Sequence, residues 1–350
     1  ANAVIAQNQG RRPKKLWTDQ GSGEKIVGYV ADNEHDEARF VAAEIDVLTD
    51  KGVPYSDIAV MYRTNNASRA LEEIFIRSGI PYKVVGGTRF YERREIRDII
   101  AYLKVLDNPD DTVSLRRIVN VPKRAIGDKA QAMVALHAEN NNISFGQALI
   151  DASGGHVDML ASRATNAIRG FVDMMEGLRN EMQLMRNEVT GMPDLGQLVQ
   201  RVLDETGYRA ELEASSDPQD GARLDNLNEL VSVAREFTSD AANQVAYMSD
   251  EELEDVMQEG EPAPGSLQAF LEKVSLVADA DQIPDNDQGV VTLMTLHTAK
   301  GLEFPVVFVT GWEDGQFPHL RALGDPAELA EERRLAYVGI TRAKERLYLT

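Results

Sequence analysis

Apolar residues along this 350-residue chain follow three successive regimes. From residue 25 to 110, short apolar runs alternate with amphipathic stretches. KIVGYVAD, DIAVMYRT and PYKVVGG read as strands. Between them Val41, Ile45 and Leu48 recur at helical spacing, as do Leu71, Ile74 and Phe75 behind a candidate cap at Ser68. A further helix is predicted from about Arg94, with Ile96, Ile99, Ile100, Leu103 and Leu106 inward and NPDD as its stop. From 111 to 284 strand patterns cease, and stretches such as KAQAMVALHAE, LGQLVQRVLDETG and LDNLNELVSVAREF repeat every three to four residues. Alternation then resumes: GVVTLMTLH and PVVFVTG as strands, PAELAEERRLAYVGITRAKE as a helix, RLYLT as a last strand.

Strands alternating with helices imply a mostly parallel, doubly wound sheet. The simplest organisation is one α/β domain made from both ends of the chain, with an all-helical domain inserted between. In such sheets ligands sit beyond the carboxyl ends of the strands.

Composition changes this picture little. There are no cysteines, so disulfides and cysteine-ligated zinc are excluded. The longest apolar runs are too short to span a bilayer, and no signal peptide is visible. The net charge of −20 argues superficially against nucleic acid. Its distribution weakens that argument. Between Ser239 and Val290 thirteen acids face one lysine, Lys273, which accounts for 12 of the 20 excess negative charges. SDEELEDVMQEGEPAPG within this stretch reads as a solvated, mobile loop. Arginines cluster elsewhere, in RFYERREIR, SLRRIVNVPKR and EERRLAYVGITR.

Three stretches carry candidate chemistry, each with a plainer reading. TLHTAKGLEF, 295–304, joins two strands through an unusually polar loop; it is either a working loop or a connection in which Gly301 makes a turn. MYRTNNASR, 61–69, ends a strand. Tyr62 and Arg63 there could stack on a base and reach a phosphate, or be a core residue and a surface charge. In LAYVGITRAKERL, Arg342 shares a helix face with Gly339, whose missing side chain would let the arginine lie low along the helix. A glycine in a helix interior costs about 1 kcal/mol relative to alanine, so some close approach is expected there. The alternative is tight helix packing at Gly339 and a salt bridge for Arg342. The five histidines show no metal-ligand spacing, and no GxxxxGK[ST] phosphate loop is present.

Together these residues resemble a known family. VVTLMTLHTAKGLEFPVVFVTGWEDGQFPH and EERRLAYVGITRAKERLYLT are similar to the last motifs of the UvrD/PcrA/Rep-type superfamily-one DNA helicases. IAVMYRTNNASRALEE and IPYKVVGGTRFYERREIRDIIAYLKVLDNP resemble an earlier motif of the same second motor domain. The resemblance implies an α/β, RecA-like parallel-sheet domain of the P-loop NTPase type, without its P-loop, carrying an inserted helical domain. The implied division is residues 1–24 as the tail of a preceding domain 1A, 25–110 and 285–350 as the two parts of domain 2A, and 111–284 as domain 2B.

The function implied is the second half of an ATP-dependent 3′–5′ DNA helicase acting in repair or replication, inactive without domains 1A and 1B. Arg342 and Arg63 would reach the γ-phosphate, with Arg342 as an arginine finger. Tyr62 would stack on the adenine. Glu303 would lie near the ribose, in the loop turned by Gly301. Thr295, His297 and Lys300 would touch single-stranded DNA. Lys123, Arg124 and Gly127 would approach duplex DNA, although PKRAIG places Ala125 where the family often has the first glycine of a GIG tripeptide. ATP and Mg2+ are the implied cofactors, with the Mg2+ ligands outside this chain. Single strands, single/double-strand junctions and DNA-repair proteins are the implied partners, in the cytoplasm at the nucleoid and away from membranes. Two other readings stay open: a non-catalytic helicase-like binding module, and part of a helicase–nuclease subunit.

Overall fold

The computed structural model describes residues 1–8, 16–19, 21–248, 261–279 and 288–350. Most of the acidic stretch predicted as a loop, 249–260, lies outside the described residues. In chain order the elements are α1 (Asn2–Ile5), β1 (Val27–Gly28), α2 (Glu34–Asp50), β2 (Ile58–Tyr62), α3 (Ser68–Arg77), β3 (Tyr82–Val85) and α4 (Arg94–Asp107). They continue with α5 (Thr112–Ile118), α6 (Asp128–Asn141), α7 (Phe145–Ser153), α8 (Ser162–Leu184), α9 (Leu195–Glu205), α10 (Tyr208–Glu213), α11 (Pro218–Tyr247) and α12 (Leu267–Asp279). Last come β4 (Val291–Thr295), β5 (Phe304–Val309), α13 (Pro326–Thr341) and β6 (Ala343–Leu349). The chain divides into two compact units, one of residues 1–90 with 279–350 and the other of 91–278. α4 belongs to the second unit, where its apolar face meets α5, α9 and α11.

The first unit is built on a six-stranded, all-parallel sheet of order β1-β6-β5-β2-β4-β3. β2, at the centre, is buried at every position, which explains its unbroken apolar run. The pleat sends alternate residues to opposite layers. Ile58, Val60 and Tyr62 join Leu293 and Phe308 in a core with α2 and α3. Ala59 and Met61 join Met294, Val307 and Val309 in a second core with Leu335 and Ala336 of α13. Full burial of a side chain such as Phe308 stabilises by about 2–3 kcal/mol.

Three sequence expectations need correction. The strand expected over KIVGYVAD reduces to Val27–Gly28, an edge strand paired only with β6 and exposed. Ser68 is not the cap of α3: Ala67 holds that position, while Ser68 Oγ lies 2.9 Å from the Asn65 carbonyl and 2.7 Å from Glu72 Oε2, with one proton for the two. The helix expected through RAKE ends at Thr341, because Ala343 onward pairs with β5.

The second unit is helical in its described elements. α9 packs on α11 and both on α4, with Leu198, Val202, Leu227 and Leu230 fully buried. A buried carboxylate, Asp98, anchors it, accepting from Arg117 Nε at 2.8 Å and from the Tyr208 hydroxyl at 2.7 Å.

Candidate functional site

The registers bring three strand ends level. Tyr62 lies beside Thr295, and Met61 beside Val309. Their continuations are stitched across the edge: the Leu296 amide donates to the Tyr62 carbonyl at 2.9 Å, and the Thr310 amide to the Met61 carbonyl at 3.0 Å. Arg63, the loop after β4 and the turn after β5 therefore share the carboxyl edge of the sheet, beside the switch point where the crossover from β2 leaves toward β3 and the chain from β5 leaves toward β6 on the other side.

Tyr62 and Arg63 are adjacent, so the pleat separates them. Tyr62 is 0% exposed in the core under α2 and α3, as the plainer reading had it. Stacking on a base would require that ring to be uncovered. Arg63 turns to the α13 layer and is not a free surface charge. Its Nε lies 2.8 Å from Glu332 Oε1 and 3.0 Å from Oε2, and its Nη2 lies 2.7 Å from Oε1. Glu332 is buried and also accepts the His319 amide at 2.9 Å. Burial works to raise its carboxyl. The hydrogen bonds and charge of Arg63 and the His319 amide outweigh this, so its pKa lies below the usual carboxylate value.

Sequence reasoning missed Glu332. The signal was present: Glu332 precedes Leu335 and Ala336 by three and four residues and Gly339 by seven, the inward face of α13. A carboxylate on an apolar stripe asks for a buried partner.

The loop after β4 is pinned by two apolar anchors, Leu296 and Ala299, both fully buried. His297 and Lys300 alternate with them and face solvent. Thr295 Oγ1 lies 3.0 Å from Thr298 Oγ1 and accepts the Thr298 amide at 3.3 Å. The His297 pKa is pushed below its ordinary value, first by partial burial of the imidazole and next by the positive charge of Arg63, against the opposing pull of Glu332 and Glu331. Neutral imidazole is favoured there. Gly301 has φ +88° with nothing within 4 Å of where a Cβ would stand, so it is the turn residue of the plainer reading. Glu303 is exposed.

Arg342 caps the C-terminus of α13. Its Nε donates to the Val338 carbonyl at 3.2 Å, Nη1 to the Leu302 carbonyl at 3.0 Å, and Nη2 to Thr341 Oγ1 at 3.1 Å. Among the described residues none of these partners is a carboxylate, so the expected salt bridge is not what holds it. A guanidinium suits the negative end of a helix. Gly339 does not make room for this arginine. A Cβ there would stand 2.6 Å from Leu296 Cδ2 and 3.4 Å from Val309 Cγ2, so the glycine admits the loop after β4 against the helix.

The structure thus joins Thr295, His297, Lys300, Gly301 and Glu303 in one loop, with Arg342 on its far limb and Arg63 near its start. Arg63 and Arg342 share no hydrogen-bond partner among the described residues. Glu332, which holds Arg63, lies ten residues before Arg342 along α13, about 15 Å of helix rise.

Lys123, Arg124 and Gly127 belong to the second unit. Lys123 and Gly127 are exposed, and Gly127 caps α6. The Arg124 guanidinium is engaged within its own unit. It donates to the carbonyls of Ile118, Pro122 and Thr206 and, at 2.6 Å, to the Tyr102 hydroxyl, and it lies over the Phe171 ring. Burial pushes Tyr102 up to about 12 despite that arginine. Ala125 sits at φ +63°, a left-handed conformation that an L side chain resists. Ala125→Gly should therefore raise stability by about 0.5–1 kcal/mol, the relieved strain less the extra freedom of the unfolded glycine. A lower urea midpoint for the variant would contradict this.

The chain is similar to known proteins along its whole length. A family model described as the UvrD-like helicase C-terminal domain matches residues 1–350. The chain is 65% identical over 351 residues to the ATP-dependent DNA helicase UvrD1 of Mycobacterium tuberculosis, covering 100% of the chain and 44% of that relative. It is 61% identical to UvrD1 of Mycobacterium leprae over 351 residues, with the same coverage. It is 43% identical over 358 residues to the ATP-dependent DNA helicase PcrA of Bacillus subtilis, again covering 44% of the relative. The chain therefore spans less than half the length of the curated relatives it matches, and it belongs to the UvrD-like helicase C-terminal domain family.

Proposed function

We propose that this chain is the second motor half of an ATP-dependent 3′–5′ DNA helicase, a RecA-like domain 2A carrying a helical domain 2B. It would work with a first half that supplies the phosphate loop and the Mg2+ ligands. Arg342 serves as the arginine finger and Arg63 as a second contact to the γ-phosphate. Glu303 lies near the ribose, and Tyr62 stacks on the adenine if its ring is uncovered. Thr295, His297 and Lys300 contact single-stranded DNA. Lys123 and Gly127 approach the duplex at a junction.

The observation that supports this most is Arg342. A half-buried guanidinium is held on carbonyls and a hydroxyl, with no carboxylate partner to offset it among the described residues. A developing phosphoryl charge is a fitting partner. A binding module without turnover has no use for it. Closure of a nucleotide cleft onto Arg342 and Arg63 would shift the loop that carries His297, giving stepping along a strand. No described helix is long and apolar enough to cross a membrane. Cytoplasmic work at the nucleoid, with repair proteins as partners, completes the proposal.

The isolated chain should hydrolyse no ATP and should bind a single-stranded oligonucleotide weakly, with affinity falling steeply as salt rises. Phosphate release and fluorescence anisotropy on the purified chain check this. DNA-stimulated turnover by the chain alone would overturn the assignment to a half motor.

A further inference from the structure

The Arg63–Glu332 pair raises a question that the nucleotide reading leaves open. An arginine that must meet a phosphate is already gripped by a buried carboxylate. A guanidinium carries five N–H donors on two edges, each able to make a paired contact with an anion. Glu332 takes the Nε/Nη2 edge. The Nη1/Nη2 edge makes no hydrogen bond among the described residues, and 22% of the side chain remains exposed. The grip therefore fixes the plane of the guanidinium and leaves its second edge for another anion.

Glu332 is itself fixed. It projects from the packed face of α13, is 5% exposed, and its Oε2 takes the His319 amide at 2.9 Å. That amide belongs to the segment between β5 and α13. The carboxylate thus ties together the end of β2, this segment and α13. Among the described residues the Arg63 side chain has no other hydrogen-bond partner.

We propose that Glu332 is the positioning residue for Arg63, holding one edge of the guanidinium so that the other is presented to a phosphate-class anion. The assignment rests on the nucleotide role proposed for Arg63. It separates two effects of the carboxylate. As an orienter it favours turnover. As a negative charge beside a phosphate site it opposes anion binding. Replacing it with the neutral isostere should therefore slow the reaction without weakening the hold on ATP.

The test is steady-state ATP turnover by the full-length protein at saturating single-stranded DNA, in four forms: wild type, Arg63→Ala, Glu332→Gln and the double variant. Glu332→Gln should lower kcat about ten- to a hundredfold, with KM for ATP no higher than wild type. In the Arg63→Ala background it should have no further effect, since there is no guanidinium left to orient. A Glu332→Gln protein with wild-type kcat overturns the proposal. So does a loss that persists in full in the Arg63→Ala background, the mark of general damage to the fold. Wild-type turnover by Arg63→Ala would instead overturn the nucleotide role of Arg63, and the present assignment with it. Collapse in Arg63→Ala beside a normal Glu332→Gln would sink the positioning role alone.

Discussion

Arg342→Ala in the full-length protein should reduce single-strand-stimulated ATP turnover by about 10³-fold or more, with ATP affinity largely kept. An arginine that meets the γ-phosphate mainly as charge develops contributes to the transition state and little to the ground state. Its present bonds are to the Val338 carbonyl and Thr341 hydroxyl at the end of α13 and to the Leu302 carbonyl in the loop after β4, each replaceable by water. Losing them should cost only about 1 kcal/mol of stability. Stopped-flow nucleotide binding beside steady-state turnover separates the two effects. Unchanged turnover would make Arg342 a helix-capping residue and move the functional reading toward a binding module.

Arg63→Ala should be the more damaging change to the fold. It strands a carboxylate that is 5% exposed. Removing one member of a buried pair costs about 3–5 kcal/mol, and the lower figure applies here because the arginine keeps 22% exposure and the His319 amide remains. The pH dependence follows from the sign of the Glu332 shift. Its folded pKa is depressed, so the stabilisation from the pair is complete above the ordinary carboxylate range and is lost as pH falls through the folded value. The stability gap between wild type and Arg63→Ala should be wide at neutral pH and narrow as the pH falls below about 4. Urea unfolding across that range measures it. A gap independent of pH would show that the loss comes from packing and not from the stranded charge.

Much of the first unit was legible in advance. The run ending at Tyr62 is apolar at every position because β2 is covered on both faces, and the run in β5 is equally apolar. The site was less legible, for two physical reasons. Arg63 and Glu332 are 269 residues apart, and only the sheet order brings them together. Within EERRLAYVGITR, Glu332 looks like one more solvated charge unless its place on the inward stripe is counted. The internal bonds of Arg124 were not legible either: the carbonyls of Ile118, at the end of α5, and of Pro122 need donors, and the guanidinium turns inward to meet them. Gly339 was rightly singled out, but its partner is Leu296 across the layer and not the arginine one turn later.

The sheet order also sets a timetable for synthesis. β2 lies between β5 and β4, and both are encoded more than two hundred residues later. At about 5–20 residues per second, the first ninety residues wait on the order of tens of seconds for the strands that flank β2. Until then its unpaired edges are templates for mispairing with other chains. The helical unit comes from one continuous stretch, 91–278, and has no such wait. It can close while the ribosome is still reading, which keeps the long interval from being spent entirely as open chain.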